Sequence, residues 1–275
     1  MIIEQVRQIK KDQMQMGTEK VYHLLRPFLR EHGIKMGRDK LYKLLKTYDL
    51  LPKRKRKTAW KTNSNHRFKK YPNLTKELPL NRPNQLWTSD ITYIRVGRHF
   101  SYLSLITDAY SHKIIGWHLD EGLTAAGPVT ALQMALQSRT KSVPPLPLTH
   151  HSDRGIQYCS REYTSLLMKH KVQISMARES YENPVSERLN GVLKNELLRP
   201  GYVNHEQALD ALTYAIYLYN HKRPHRSTDM LTPHQAHQCN GLLKKRWKLN
   251  KWRKNKTLLA QRNKANEKAK SVELF

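Results

Sequence analysis

The chain has 275 residues, enough for one large domain with appendages or for two domains, and either arrangement can bury a sizeable core. Fifty Lys and Arg stand against 22 Asp and Glu, a formal charge of +28 with a pI near 10.1, and an excess of that size needs a polyanionic partner. No stretch approaches the ~18 consecutive apolar residues of a spanning helix, and MIIEQVRQIK at the start lacks the apolar core of a signal peptide. The two cysteines, Cys159 and Cys239, can build neither a disulfide framework nor a CxxC zinc site. The chain therefore reads as a cytosolic protein with reduced thiols, no membrane partner and a nucleic-acid ligand.

From Ile3 to Leu51 the apolar residues fall at helical spacing: Ile3, Val6 and Ile9, then Val21, Leu24, Leu25 and Phe28, then Leu41, Leu44 and Leu45. Thr18 is the expected N-cap of the second helix, Gly33 closes it, and Gly37 breaks the chain before the third. Two short helices joined by GIKMG, with Arg38, Lys40 and Lys43 on the later one, fit a helix-turn-helix domain over residues 1–52 that places its last helix in a DNA major groove. A small helical bundle with a solvated basic face is the alternative.

Residues 53–77 open with KRKRKTAWKTNSNHRFKK, which holds Lys53, Arg54, Lys55 and Arg56 among nine cations and no acid. No core forms from such a run. It reads as a basic linker that also neutralises DNA phosphates by counterion release.

From Leu78 the texture changes. QLWTSDITYI, HFSYLSLITDAY and HKIIGWHL predict three strands in a meander, and a helix follows from about Ala125 to Ser138. VPPLPLTHHSD then supplies a fourth strand, a helix runs through Tyr163, Leu166 and Leu167, VQISMA is a fifth strand, and two more helices complete the unit. This order predicts an α/β domain with a mixed five-stranded sheet over residues 78–240. Residues 241–275 return to charge, with Trp247 and Trp252 interleaved among Lys and Arg, as a basic tail that is either DNA-contacting or merely solvated.

In so basic a chain the acids of the core domain stand out. Asp90 lies inside a strand pattern, where a half-buried carboxylate needs a counter-ion, either a salt bridge or a metal. Asp153 follows the strand LPLTHH at the end where α/β sheets usually carry their sites, and Gly155 lets the chain turn after it. Pro184 suits the first turn of a helix from which Glu187 projects, with Asn190 one turn on, Lys194 seven residues on and Glu196 a weaker alternative acid. Three hard oxygen ligands without cysteine suit Mg²⁺ or Mn²⁺, and two such ions about 3.5–4 Å apart serve in-line phosphoryl transfer. Asp108, Asp120 and Glu121 compete for such roles, although Asp108 reads as a structural end to the second strand. His150 and His151 invite a zinc reading, but adjacent strand residues point to opposite faces and cannot reach one ion together.

Asp153 follows Asp90 by 63 positions, and Glu187 follows Asp153 by 34. With that spacing, WTSDITYI, HSDRGIQY, ENPVSERLNGVLKNE and YNHKRPHRSTDMLTP, in this order, resemble the catalytic core of integrase-like DDE transposases. The closest resemblance is to the second-reading-frame product of the insertion sequence three family. The resemblance covers most of the chain and implies an RNase H-like fold in which Asp90, Asp153 and Glu187 hold two divalent ions. It further implies a Lys194 contact to the transposon end, cleavage and strand transfer on double-stranded DNA (element terminal repeats and target), and a homo-oligomer on that DNA. The setting implied is the bacterial nucleoid, with an upstream-frame partner joined by frameshift fusion, and an alternative is that this product alone is an inactive regulator. An RNase H-like nuclease acting on RNA:DNA hybrids shares the metal chemistry but leaves the helix-turn-helix and YNHKRPH segments unexplained.

Arg188 and Asn190 on the glutamate's helix, and Arg223 and Arg226 after a tyrosine-rich helix carrying Leu209, Leu212 and Ile216, are expected to contact phosphates near the site. One departure is visible: SMARESYENPVSE is slightly shorter than the commonest family pattern, so the loop before Glu187 must be tighter, with Glu182 as the fallback acid.

Overall fold

A computed structural model describes residues 1–53, 67–75, 78–139, 146–179 and 182–246. Arg54, Lys55 and Arg56, and the tail bearing Trp247 and Trp252, lie outside the described residues.

The N-terminal unit consists of α1 (Ile2–Lys10), α2 (Thr18–Glu31) and α3 (Arg38–Thr47). Each is amphipathic, and Val6, Met16, Val21, Leu25, Leu41 and Leu45 form a separate buried cluster. Gly33 closes α2 at φ 64°, a left-handed value that glycine adopts without steric cost. The N-cap of α2 is Gly17, not Thr18, which is already helical, and no side chain caps that end. The helix therefore starts one residue early and relies on packing rather than on a cap.

The second unit holds β1 (Leu86–Val96), β2 (His99–Asp108), β3 (Ile114–Asp120), α4 (Ala126–Ser138), β4 (Thr149–Ser152), α5 (Ile156–Cys159), α6 (Arg161–Lys169) and β5 (Gln173–Met176). It ends with α7 (Pro184–Val192), α8 (His205–Tyr217) and α9 (Pro233–Ala236). The strand order is β3-β2-β1-β4-β5, with β1–β2 and β2–β3 antiparallel and β1–β4 and β4–β5 parallel. A three-stranded meander extended by two parallel strands through helical crossovers is the RNase H-like arrangement expected from the sequence.

Strand alternation divides the core between the two faces of the sheet. Trp87, Ile106 and Ile115 pack with Ala131, Leu132 and Ala135 of α4 and with Tyr163 and Leu167 of α6. Ile94, Leu103, Leu105 and Leu119 pack with Leu189 and Val192 of α7 and with Ala208, Leu212 and Ile216 of α8. Leu209, expected inward, is exposed, and Ala208 and Ala215 fill the inner face instead. Small residues there let α8 lie close to β1 and to the turn at Leu193–Leu197.

The expected linker is shorter than its composition suggests. Met176 N–H donates to the Pro72 carbonyl at 3.2 Å, Leu74 N–H donates to Ser175 Oγ at 2.9 Å, and Tyr71 packs on the α4/α6 core. Residues 71–74 thus cover the outer edge of β5, which would otherwise present unpaired backbone groups.

Asp108 has the structural role expected of it. Its Oδ1 accepts from Ser111 N–H and Ser111 Oγ, both at 2.7 Å, and its Oδ2 accepts from Asn84 N–H at 2.7 Å. Gly116 fixes the distance between sheet and helix, because a Cβ there would lie 2.2 Å from the Ala131 carbonyl oxygen of α4. Overpacking against backbone forces the helix outward, so Gly116→Ala should destabilise the second unit by about 3 kcal/mol. Thermal and urea unfolding of the full chain, read against the conservative Ile115→Val, checks this.

Candidate active site

The parallel pairing of β1 with β4 aligns Leu86 with Thr149, Trp87 with His150 and Thr88 with His151. Continued by two residues, that register sets Asp90 opposite Asp153 just beyond the end of β4. Asp90 shares its parity with Ile94, so it faces α7 rather than α4. Asn183, immediately before α7, donates from Nδ2 to the Ser89 carbonyl at 2.9 Å and ties the helix start to β1 one residue ahead of Asp90. Pro184 opens the helix, and Glu187 stands exposed in its first turn.

The three acids share one electrostatic field. Burial pushes the Asp90 carboxyl up to about 7, and the nearby Asp153 and Glu187 add to the shift, against the N–H of Ile91 and the amide of Asn190. Asn190 Nδ2 donates to Asp90 Oδ2 at 2.6 Å, fixing that carboxyl from α7. Gly155 N–H donates to Asp153 Oδ1 at 2.9 Å. The backbone of Gly155 is ordinary, with φ −60°. What its missing side chain supplies is room, since a Cβ would lie 3.0 Å from Asp153 Oδ1.

Among the described residues, no three His, Cys, Asp or Glu side chains are drawn together into a ready-made metal cluster. The donor set nevertheless fits a hard divalent cation: three carboxyl groups, one of them desolvated, beside a buried Asn190 Oδ1 that has no hydrogen-bond partner. Excess negative charge in a desolvated place is what such a cation relieves.

Lys194 lies on the same side. The helix widens from α7 into a π-turn at Leu193–Leu197, and Lys194 Nζ stands 3.7 Å above the Tyr93 ring while the Asp90 charge acts on it. Burial lowers its pKa, with Asp90 pulling the other way. Tyr93, three positions beyond Asp90 on β1, went unnoticed in the sequence because it reads as one more strand aromatic.

Other expected contacts separate by exposure. Arg188 is exposed on α7, and Lys40 and Lys43 are exposed on α3. Arg38 is exposed too, with its guanidinium on the neighbouring Asp39 at 2.8 Å. Lys53 is exposed and lies 3.4 Å from Asp49. Arg223 corrects the sequence reading: it is 2% exposed and paired with Glu196, so its guanidinium is enclosed in the fold instead of presented to phosphate. Two π-turns, Leu193–Leu197 and Leu218–Lys222, bring that pair together from residues 27 apart. Arg226 is exposed and meets Glu19 of α2 at 3.1 Å. Glu182 accepts from Arg178 N–H at 2.7 Å and shapes the loop ahead of α7. His150 Nε2 pairs with Tyr163 OH and His151 Nδ1 with Ser175 Oγ, each at 2.8 Å, so the two rings use different partners in the core.

Several known proteins resemble this chain. Two models of the integrase core domain match, over residues 81–181 and 169–233. A protein of Shigella sonnei, the insertion element IS600 uncharacterized 31 kDa protein, is 37% identical over 210 residues, which is 74% of this chain and 76% of that one. The transposase InsF for insertion sequence IS3A of Escherichia coli K12 is 34% identical over 162 residues, 58% of this chain and 55% of its own length. Among solved structures, the integrase catalytic core domain of HTLV-2, in complex with magnesium, aligns with TM-score 0.45 and 19% identity over 57% of this chain and 98% of that chain. Motif order, sheet topology and the Shigella relative together place the chain in the insertion sequence three family of integrase-like transposases.

Proposed function

We propose that the chain is a DDE polynucleotidyl transferase that cleaves the ends of an insertion sequence and joins the freed 3′ hydroxyl to another DNA strand. The observation that carries this is the register of β1 and β4, which brings Asp90 and Asp153 to one sheet end beneath the helix of Glu187. Asp90, Asp153 and Glu187 would hold Mg²⁺ or Mn²⁺, two ions per site, and the ions would polarise the phosphate, activate the attacking oxygen and stabilise the leaving one.

The remaining roles belong to side chains of this chain. Asn190 holds the Asp90 carboxyl in one orientation, and the Gly155 N–H does the same for Asp153. Lys194, kept over Tyr93, supplies positive charge to a phosphate beside Asp90, and the exposed Arg188 offers a further phosphate contact from another face of α7. Arg38, Lys40 and Lys43 of α3 contact the terminal repeat in the major groove, and the basic segment from Lys53 through Arg56 follows the DNA backbone. Joining two ends calls for at least two copies on DNA. The working location is the bacterial nucleoid, and the upstream-frame product, fused by frameshifting, completes the DNA-binding apparatus. No helix among the described residues is long and apolar enough to cross a membrane.

Incubating labelled element-end DNA and Mg²⁺ with the chain, alone and fused to its upstream frame, tests the proposal. Strand-joined product should form and fall at least 100-fold in Asp153→Asn. Binding without cleavage in both forms would instead make the chain a regulator, and cleavage confined to RNA:DNA hybrids would make it a nuclease.

Asp90 gives a second prediction. A carboxyl raised from 3.8 to about 7 on folding makes folding favour its protonated form, so the charged form costs the metal-free protein stability. That cost is absent below the unfolded value, grows as pH rises through the interval, and is complete above about 7. Asp90→Asn should therefore raise metal-free stability at pH 8 by about 2–4 kcal/mol, and by less at pH 5. In EDTA its melting temperature should exceed the parent's, whereas Mg²⁺ should raise the parent's melting temperature and leave the variant's unchanged.

A further inference from the structure

A cavity of about 750 Å³ lies between α2 and the catalytic unit, on the other side of α7 from the acids. Its cations come from three separate parts of the chain: Lys20 on α2, Arg188 on α7, and Arg226 with Lys245 near the end of the described chain. Its walls are apolar and aromatic, among them Leu80, Val185 and Tyr110. His112 and His225 are stacked at its edge, their centroids 4.4 Å apart and their planes at 20°. Burial pushes His112 down to about 4 and His225 to about 2, so both rings are neutral at pH 7.

Charge in this cavity is out of balance. Glu196 is paired with Arg223, and Glu19 lies 3.1 Å from Arg226. Among the described residues, Lys20 and Arg188 have no ion-pair partner. Burial, with Arg223 next, lowers Lys20 to about 7, while Glu196 pulls the other way. Lys20, half-buried and without an ion-pair partner, is stabilised by an anionic ligand, and an aromatic and apolar wall beside it suits a base. Duplex DNA is too wide for such a space, but one unpaired nucleotide fits both halves of it.

We infer that this cavity binds an unpaired nucleotide of a DNA end, its phosphate on Lys20, Arg188 and Arg226 and its base against Tyr110 and the His112–His225 pair. The inference rests on the reading of the chain as a DNA-end enzyme. Because Glu187 and Arg188 are consecutive on α7, one strand can lie at the acids while its displaced neighbour enters the cavity. Lys20 contributes only while α2 is docked, so capture of the nucleotide also holds the helix-turn-helix domain against the core.

The test is binding of the full chain, without divalent ion, to two element-end duplexes that differ only in whether the last two base pairs are matched or mismatched. A 2-aminopurine in the frayed strand reports burial of the base. The expected result is about tenfold tighter binding of the frayed duplex with an altered 2-aminopurine signal. Lys20→Met, which keeps the side-chain bulk without the charge, should bring the ratio close to one, and Lys20→Arg should keep it. Lys40→Gln on α3 should weaken binding to both duplexes alike. A parent ratio near one, or a ratio that Lys20→Met leaves intact, overturns the inference. So does a parent ratio near one in a protein that inorganic pyrophosphate stabilises through Lys20, since the cavity would then be a simple anion site. No chemistry occurs in this assay, so loss of strand joining in the earlier experiment leaves its outcome independent.

Discussion

The parallel pairing of β1 with β4 is the constraint on which the rest of the site depends. Strand β4 has only four residues, and its register against β1 decides whether Asp153 lies opposite Asp90 or one residue away on the other face of the sheet. The register is held by burial on both sides. Trp87 and His150 are enclosed in the α4/α6 core, and the second partner of β4, strand β5, continues the alignment from His150 with Ile174 to Ser152 with Met176. A slip of one position would turn His150 and His151 to the wrong faces and break their hydroxyl partners together.

Around that pairing, the electrostatics divide into two opposite regions. The acids gather where the sheet ends, and their mutual repulsion is the property that a divalent cation uses. On the far side of α7, Lys20, Arg188 and Arg226 gather without enough acid to balance them. One nine-residue helix separates a cation-seeking region from an anion-seeking one. A phosphodiester held through a divalent ion on one strand, with a second phosphate nearby, would satisfy both, as the proposed function requires.

Much of this was legible in the sequence where local rules govern. Alternation in WTSDITYI and LITDAY predicted strands that exist, Pro184 marked a helix start, and Asp108 at a strand end proved to cap a turn. Asp90 and Asp153 drew attention because acids are scarce in this chain and these two lie at or beside strands. What escaped was tertiary. Arg223 looked like a phosphate contact because Glu196, its partner, comes from 27 residues away through a π-turn that no periodicity announces. Lys20 carried no sequence signal at all, and only docking of α2 on the core half-buries it. Residues 71–74 fell within the linker read between the basic run and Leu78, whereas bonding to β5 makes them part of the sheet's edge.

In the proposed function, Asp90, Asp153 and Glu187 together hold the ions that do the chemistry. Anomalous diffraction from crystals of the chain with element-end DNA and Mn²⁺ tests it most directly. Manganese peaks should be bound by Asp90 and Asp153, with Glu187 completing the set from α7. Peaks bound by Glu182 or Glu196 in place of Glu187, or manganese on the DNA alone, would contradict it.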